Sequence, residues 1–184
     1  NEVQKYCEVS EKEAALLISS ARPIVLLKKK KDFVPEICGE SDRIGALLPC
    51  NPLQILLLEE TGPLVMTSGN RGGEPIIISE DEMIEHLGNG IDFMLTHDRE
   101  ILTPLDDSIY QVSEIGDKTV VQLIRRARGL APEPIRLHRK LSKDTFAAGG
   151  DLKAVFALGR EELVYLSQYF GDLEDVRCAE SREA

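Results

Sequence analysis

A short apolar run followed by polar residues, at positions 64–70, is the stretch of the sequence with the clearest capacity for chemistry. Leu64–Met66 predicts a short buried strand, and Thr67, Ser68 and Asn70 follow it directly. Ligands of open α/β sheets bind beyond the carboxyl ends of the strands, where such hydroxyl and carboxamide groups can reach them. Gly69 would let a ligand approach the backbone closely. A strand that ends in an ordinary polar turn accounts for the same residues equally well.

Two further polar clusters lie before and after a predicted hairpin. Asp106 and Asp107 precede Ser108, and adjacent carboxylates of this kind either form a turn or bind the Mg²⁺ that accompanies a nucleotide. Arg126 and Arg128 would share one face of a strand, where two guanidinium groups suit phosphate binding. An exposed strand end that carries two arginines is an equally good interpretation.

The sequence lacks the common catalytic motifs. It has no Walker motif, G-x-G-x-x-G or H-E-x-x-H sequence, and its three histidines lack metal-ligand spacing. His97 begins a His-Asp-Arg sequence that favours a turn with a local ion pair. A triad of Ser68, His97 and Asp107 would lack the G-x-S-x-G elbow of the α/β-hydrolases, so hydrolysis is not favoured.

The composition excludes several classes of function. The formal net charge is −10, whereas a duplex-binding surface needs clustered cations, so nucleic acid is not expected as a partner. The one basic run, 28–31, predicts a solvated loop. The four cysteines include no C-x-x-C pair, which disfavours a zinc site and favours a reduced protein. Neither a signal peptide nor a membrane-length apolar run is present, so we expect a cytoplasmic location and no membrane contact.

Alternating strands and helices predict an α/β fold. Ser10, Asn51 and Ser79 are the expected N-caps of three helices, and the strongly apolar helix after Asn51 is expected to be buried on most sides. Gly116 lies in the turn of the clearest hairpin. A proline-rich and then basic stretch over 130–145 predicts a linker, and the roughly 40 residues beyond it are too few for a domain of their own. Predicted strands cover residues 24–27, 44–48, 64–66, 91–96, 108–112, 119–125, 155–158 and 164–167.

Several short motifs occur in a specific order along the chain. They are Ile44-Gly45 to Leu48-Pro49, Asn51-Pro52-Leu53, Pro63 to Asn70, Glu74-Pro75, His97-Asp98-Arg99, Asp107-Ser108, and Arg125 to Gly129 with Pro132. Their order and spacing over roughly residues 10–137 resemble the YrdC-like domain of the hydrogenase maturation carbamoyltransferases, the HypF family. Residues 149–153 and 166–174 resemble the opening of the next domain of the same proteins, which is similar to the actin/hexokinase-like fold.

The resemblance implies a fold and a reaction. The expected fold is α/β: a partial YrdC-like twisted, open, mixed sheet with flanking helices over residues 1–137, a linker over 138–145, and the first β-hairpin of an actin/hexokinase-like domain over 146–184. The implied enzyme forms carbamoyl-adenylate from carbamoyl phosphate and ATP. It then passes the carbamoyl group to the C-terminal cysteine of a partner maturation protein, for cyanide-ligand synthesis in nickel–iron hydrogenase maturation.

By the same resemblance, six residues would bind the cofactor ATP or the reacting groups. Ser68 and Asn70 would contact the nucleotide, Ser108 would lie near the carbamoyl group, and Arg126 or Arg128 would lie near phosphate. A requirement for Mg²⁺ is left open, and the zinc and iron sites of such enzymes fall outside this chain. The chain would be part of a longer protein and would carry only part of each active site. The six residues are Thr67, Ser68, Asn70, Ser108, Arg126 and Arg128.

Two other functions stay open. The threonylcarbamoyl branch of the superfamily usually has an arginine two residues before the proline of the 44–49 strand, for the carboxylate of threonine, and this chain has Leu47 there. Because a carbamoyl group has no carboxylate to pair, Leu47 favours the hydrogenase branch over threonylcarbamoyl-adenylate synthesis. A non-catalytic YrdC-like module that binds nucleotide or RNA fits the same polar residues and would show no transfer chemistry.

Overall fold

The computed structural model describes residues 2–30, 39–70, 76–102, 104–150 and 154–167 of the 184-residue chain. The chain divides into two compact units. Unit 1 comprises Asn1–Val65 and Asp107–Leu130, and unit 2 comprises Met66–Asp106 and Ala131–Ala184. Within the described residues, each unit contains a four-stranded sheet.

Unit 1 is built from helices around a mixed sheet. Its elements are α1 (Val3–Tyr6), α2 (Glu11–Ile18), β1 (Ile24–Lys28), β2 (Arg43–Ala46), α3 (Pro52–Thr61), β3 (Ile109–Ile115) and β4 (Lys118–Arg125). The strands lie in the order β2-β1-β3-β4. β1 is antiparallel to β2 and parallel to β3, and β3 and β4 form the predicted antiparallel hairpin. The mixed sheet with its helices confirms the predicted α/β class.

The core of unit 1 lies on β1, which has a neighbouring strand on each side. Its side chains alternate between buried and partly exposed positions, as expected for a strand with two different faces. Val25 and Leu27 are fully buried, and they form one apolar cluster with Leu17 of α2 and with Cys7. The burial of this cluster fixes α2 against the sheet.

α2 begins at a complete capping box, as the sequence predicts. The Ser10 hydroxyl accepts a hydrogen bond from the Glu13 N–H at 3.3 Å, and the Glu13 carboxylate accepts one from the Ser10 N–H at 2.8 Å. Two backbone donors that the first helical turn cannot use are thereby satisfied. Asn51 caps α3 as predicted, since its side-chain oxygen accepts from the Gln54 N–H at 2.9 Å.

The basic run at 28–31 extends the sheet, so the prediction of a loop is wrong for its first residues. Lys28 is the last residue of β1, and Lys29 forms an isolated antiparallel bridge with Cys7. The Lys28 ammonium pairs with the Glu8 carboxylate at 3.2 Å on the surface. Lys31 lies outside the described residues.

α3 is less buried than the sequence predicts. None of its residues is buried, and Leu53, Ile55, Leu56 and Leu57 are between 45% and 62% exposed. Apolar residues occur around the whole circumference of this helix, so it would need neighbours on every side to bury them all. The described part of unit 1 does not surround α3 with packed neighbours, so the prediction that this helix is buried is wrong.

Two predicted strands do not form. Residues 64–68 and 93–97 have an irregular backbone, and Val65 and Phe93 are 70% and 94% exposed. An extended segment becomes a strand only where a neighbour pairs with its N–H and C=O groups. Apolar composition alone does not supply that neighbour, so the predictions of strands at 64–66 and 91–96 are wrong.

Unit 2 contains a capped helix and an antiparallel sheet. Its elements are α4 (Glu80–Leu87), a 3₁₀ turn (Gly88–Gly90), β5 (Ile135–Arg136), β6 (Thr145–Ala148), β7 (Phe156–Arg160) and β8 (Leu163–Leu166). The strand order is β5-β8-β7-β6, and every neighbouring pair is antiparallel. Ser79 caps α4, as predicted, by accepting from the Glu82 N–H at 3.5 Å.

The second predicted hairpin is also present in unit 2. β7 and β8 correspond to the predicted strands at 155–158 and 164–167, and they are joined by a tight turn in which Glu161 has a φ of 54°. β5 lies inside the stretch at 130–145 that the sequence predicts as a linker. The domain boundaries at 137–138 and 145–146 stay predictions.

The capping box of α2 gives a first test of the fold. Ser10→Ala removes the acceptor of the Glu13 N–H and a hydroxyl that donates to the Glu13 carboxylate at 2.7 Å. We expect the free energy of unfolding, measured by urea denaturation, to fall by about 1–2 kcal/mol. Ser20→Ala is the control, because Ser20 is exposed and lies beyond the end of α2. Equal effects of the two substitutions would contradict a capping role.

Candidate functional site

Two of the predicted polar clusters meet at one end of the β3–β4 hairpin. The first residue of β3 pairs with the last residue of β4, so the chain before β3 lies beside the chain after β4. Residues 125–129 form a segment that we name the arginine loop, and its Arg128 makes an isolated parallel bridge with Asp107. β4 ends at Arg125. Arg126 and Arg128 therefore do not share a strand face, and that prediction is wrong.

Ser108 holds the arginine loop from the interior of unit 1. It is fully buried, with a relative exposure of 0%. Its hydroxyl donates to the carbonyl oxygen of Arg128 at 2.9 Å and accepts from the Ala127 N–H at 2.8 Å. A buried hydroxyl whose donor and acceptor are both used costs little to bury and fixes the groups it touches.

Asp107 and Arg128 form the main ionic contact of the site. The Arg128 Nε lies 2.6 Å from Asp107 Oδ1, and the two side chains are 23% and 34% exposed. The same guanidinium donates to the carbonyl oxygens of Ala21 and Arg22, at 3.3 Å and 2.9 Å. Charge-assisted hydrogen bonds of this kind contribute on the order of 1.5–3 kcal/mol where they are shielded from water. The contact ties the segment before β1 to the segments that flank the hairpin.

Gly129 allows the close approach of the arginine loop to the start of β1. Its φ is +83°, a conformation that strains residues with a side chain. A Cβ atom at this position would lie 2.6 Å from the Cα of Ala21 and 2.7 Å from its carbonyl oxygen. Only glycine therefore fits here without a movement of the backbone.

The predicted ligand turn after residue 66 belongs to unit 2, where it packs near α4. The Asn70 N–H donates to the carbonyl oxygen of Ser68 at 3.1 Å, and the Ile77 N–H donates to that of Gly69 at 3.0 Å. A Cβ atom on Gly69 would lie 2.8 Å from the terminal methyl of Met83. Thr67 and Ser68 are exposed, so the turn presents its hydroxyl groups to solvent. It does not follow a sheet strand, contrary to the prediction.

The remaining polar candidates form no metal site in the described part of the chain. His97 makes a local turn, as the sequence favours, because its Nδ1 accepts from the Arg99 N–H at 3.2 Å. No group of three or more His, Cys, Asp or Glu side chains is close enough to hold a metal ion among the described residues. One Asp107 oxygen is bound by a guanidinium.

Two residues of this site carry no signal that sequence reasoning could use. Ala21 and Arg22 contribute only backbone oxygens, and any residue type offers such an acceptor. The alanine is nevertheless constrained, since it is only 7% exposed beneath the arginine loop.

Among the helices that the described residues form, none has both the length and the apolar character needed to cross a membrane.

Comparison with known proteins finds two matched segments in the chain. The Sua5/YciO/YrdC family model, described as "Telomere recombination", matches residues 1–127, and the model of the HypF Kae1-like domain matches residues 140–184. The carbamoyltransferase HypF of Synechocystis sp. is 39% identical over 175 residues, which cover 94% of this chain. The chain belongs to the Sua5/YciO/YrdC family, and it is similar to HypF proteins over nearly its whole length. The resemblance inferred from the motifs is confirmed.

Other HypF proteins agree in sequence and in fold. HypF2 of Cupriavidus necator is 38% identical over 193 residues, which cover 95% of this chain. A crystal structure of full-length HypF in the phosphate- and nucleotide-bound form matches 99% of this chain with a TM-score of 0.86 and 38% identity, and HypF of T. kodakarensis matches 98% with a TM-score of 0.86 and 31% identity. These matches confirm the predicted fold class.

The chain spans only part of the HypF relatives. It covers 22% of the Synechocystis protein and 24% of the Cupriavidus protein. It also covers 29% and 23% of the two solved HypF chains. The roles assigned to Thr67, Ser68, Asn70, Ser108, Arg126 and Arg128 stay predictions.

The close approach at Gly129 can be tested against a matched glycine. Gly129→Ala adds a methyl group that meets the Ala21 backbone, whereas Gly116→Ala has a similarly positive φ of +59° with no atom within 4 Å. We expect urea denaturation to show a loss of about 3 kcal/mol or more for Gly129→Ala and of about 1 kcal/mol for Gly116→Ala. The same loss at both positions would show that backbone strain alone, and not packing of the arginine loop, determines the effect.

Proposed function

We propose that the whole protein to which this chain contributes is a carbamoyltransferase of nickel–iron hydrogenase maturation. One observation carries the proposal: two different family models match the chain in succession, at residues 1–127 and 140–184. The two matched segments do not overlap, so their occurrence in one chain is stronger evidence for a HypF protein than either match alone. Relatives that are 39% and 37% identical carry the name carbamoyltransferase HypF.

We propose that the first half-reaction forms carbamoyl-adenylate from carbamoyl phosphate and ATP. Ser68 and Asn70 would contact the nucleotide, with Thr67 beside them in the same turn. The exposed hydroxyl groups of Thr67 and Ser68 support this role, because a nucleotide can reach them from solvent. A related HypF was solved in a phosphate- and nucleotide-bound form. Such a reaction depends mainly on fixed donors and cations around the transferring phosphate.

The arginine loop would supply the cations for this step. Arg126 or Arg128 would lie near phosphate, and Ser108 would border the carbamoyl group while its hydroxyl holds the loop. The loop is rigidly attached to two other segments of unit 1, which supports a role in positioning charge. A preorganised cation costs no reorganisation at the moment of reaction.

We propose that the domain which begins after the linker catalyses the second half-reaction. The thiolate of a C-terminal cysteine on a partner maturation protein would attack the carbamoyl carbon. A carbon–sulfur bond would form, the bond between that carbon and the AMP oxygen would break, and AMP would leave after the thiol has lost its proton. The resulting thiocarboxamide is the precursor from which the cyanide ligand would be made.

Leu47 supports carbamoyl rather than threonylcarbamoyl transfer. It follows β2 directly and is partly buried. Its aliphatic side chain offers no partner for the carboxylate of threonine, and an unpaired carboxylate against an apolar residue is unfavourable. The carbamoyl group has no carboxylate, so it needs no cationic partner at this position.

ATP–pyrophosphate exchange in the whole protein tests the proposal. We expect exchange that depends on carbamoyl phosphate, and we expect Ser68→Ala combined with Asn70→Ala to reduce it at least about a hundredfold, because two donors to the nucleotide are lost. The matched control is Ser142→Ala combined with Asn89→Ala, since both of these residues are exposed and outside the proposed site. The control should keep the wild-type rate.

The other outcomes distinguish the alternatives. Exchange that requires threonine in place of carbamoyl phosphate would establish threonylcarbamoyl-adenylate synthesis. ATP binding without exchange would indicate a binding module that performs no transfer. Full exchange in the Ser68→Ala, Asn70→Ala protein would show that the nucleotide binds elsewhere.

A further inference from the structure

Arg22 lies where the segment before β1 meets the arginine loop, and its backbone conformation is unusual. Its φ is +43°, a left-handed conformation that glycine adopts freely and that a residue with a side chain adopts only at a cost. The next residue is Pro23, and a proline further restricts the backbone of the residue before it. Glycine would therefore relieve strain at a position where the chain has an arginine.

Neighbouring groups hold the backbone of Arg22 in this conformation. Its N–H donates to the carbonyl oxygen of Ser19 at 3.1 Å, and its own carbonyl oxygen accepts from Arg128 Nη2 at 2.9 Å. Pro23, directly after it, is fully buried. The backbone from which the Arg22 side chain extends is thus fixed beside the arginine loop, as a preorganised ligand requires.

The fold uses the backbone of Arg22 but not its charge. Within the residues that the structure describes, the Arg22 guanidinium forms neither a hydrogen bond nor an ion pair, and the residue is only partly buried. Arg128 differs, because each of its three guanidinium nitrogens has an acceptor in unit 1. The planar donor group of Arg22 can therefore bind a ligand without breaking a contact of the fold.

The charges around Arg22 favour an anion. The segments 21–22, 107–108 and 125–129 contain four arginines and one aspartate, in a chain whose net charge is −10. The charge of that aspartate, Asp107, is already compensated by Arg128 at 2.6 Å, so the pair contributes little to the field at Arg22. A guanidinium group in such surroundings suits the oxygens of a phosphate, which it can bind through two parallel hydrogen bonds.

We propose that Arg22 is a phosphate-binding residue whose left-handed backbone places its guanidinium beside the arginine loop. It acts together with the cations of that loop. A function of the side chain accounts for the strain, since glycine would fit the same backbone without it. The anion site belongs to unit 1 alone. That the anion is a phosphate of ATP or of carbamoyl phosphate rests on the proposed function.

Stability separates this role from a structural one. Deuterium exchange of the β1 amides, which reports the stability of unit 1 in the whole protein, should be unchanged or slower in Arg22→Gly, because glycine removes the strain. Glu161→Gly is the matched control, since Glu161 is exposed and has a φ of +54° in the β7–β8 turn. Its β7 and β8 amides should likewise exchange no faster. Faster exchange of β1 in Arg22→Gly would show that the arginine side chain holds the fold, and would overturn the proposal.

Calorimetric titration of the whole protein measures binding, with ATP and carbamoyl phosphate as separate probes. Arg22→Gly and Arg22→Gln should each weaken the binding of at least one probe at least about tenfold, because a charge-assisted contact is lost. Arg22→Lys should weaken it less than Arg22→Gln, since the lysine keeps the positive charge. Glu161→Gly should bind both probes as the wild type does. The probe whose binding is weakened identifies the source of the phosphate.

The remaining outcomes distinguish the site from the proposed function. Wild-type affinity for both probes in Arg22→Gln would overturn the role of Arg22. If the wild-type protein binds neither ATP nor carbamoyl phosphate, the proposed function fails, and inorganic pyrophosphate, titrated in the same way, tests Arg22 by itself. Weaker pyrophosphate binding in Arg22→Gln would support the anion site, whereas unchanged binding, or none in the wild type, would overturn it.

Discussion

The parallel pairing of β1 with β3 is the constraint on which the candidate site depends. It aligns Ile24 with Ile109, and the Ile24 N–H donates to the carbonyl oxygen of Ser108 at 2.8 Å. The chain just before β1 is therefore placed beside the chain just before β3. Because β4 returns antiparallel to β3, the arginine loop reaches the same point. Three segments that are distant in sequence thus meet, and the buried cluster around β1 stabilises the arrangement.

This convergence gives the polar residues roles that their types alone do not specify. A serine and an aspartate before a strand could bind a ligand or a metal, but here both hold the arginine loop. Arg128 has all three guanidinium nitrogens bound within unit 1, to Asp107 and to two backbone oxygens, which its residue type alone does not specify.

Sequence reasoning was most accurate where structure is determined locally. The capping box at Ser10, the cap at Asn51 and the hairpin turn at Gly116 each depend on groups within a few residues of one another. It was least accurate for burial and pairing. The apolar runs at 64–66 and 91–96 and the helix α3 were expected to be covered, but an apolar sequence does not specify the neighbour that would cover it.

The sequence by itself determined the family, the mixed α/β class and the set of candidate residues, because the order and spacing of short motifs survive in the linear chain. Only the tertiary structure decided which of those residues are buried and what they bind. Arg128 is 21 residues from Asp107 and 107 residues from Ala21 along the chain. Contacts over such distances follow from strand pairing and packing around β1, and no local propensity encodes them.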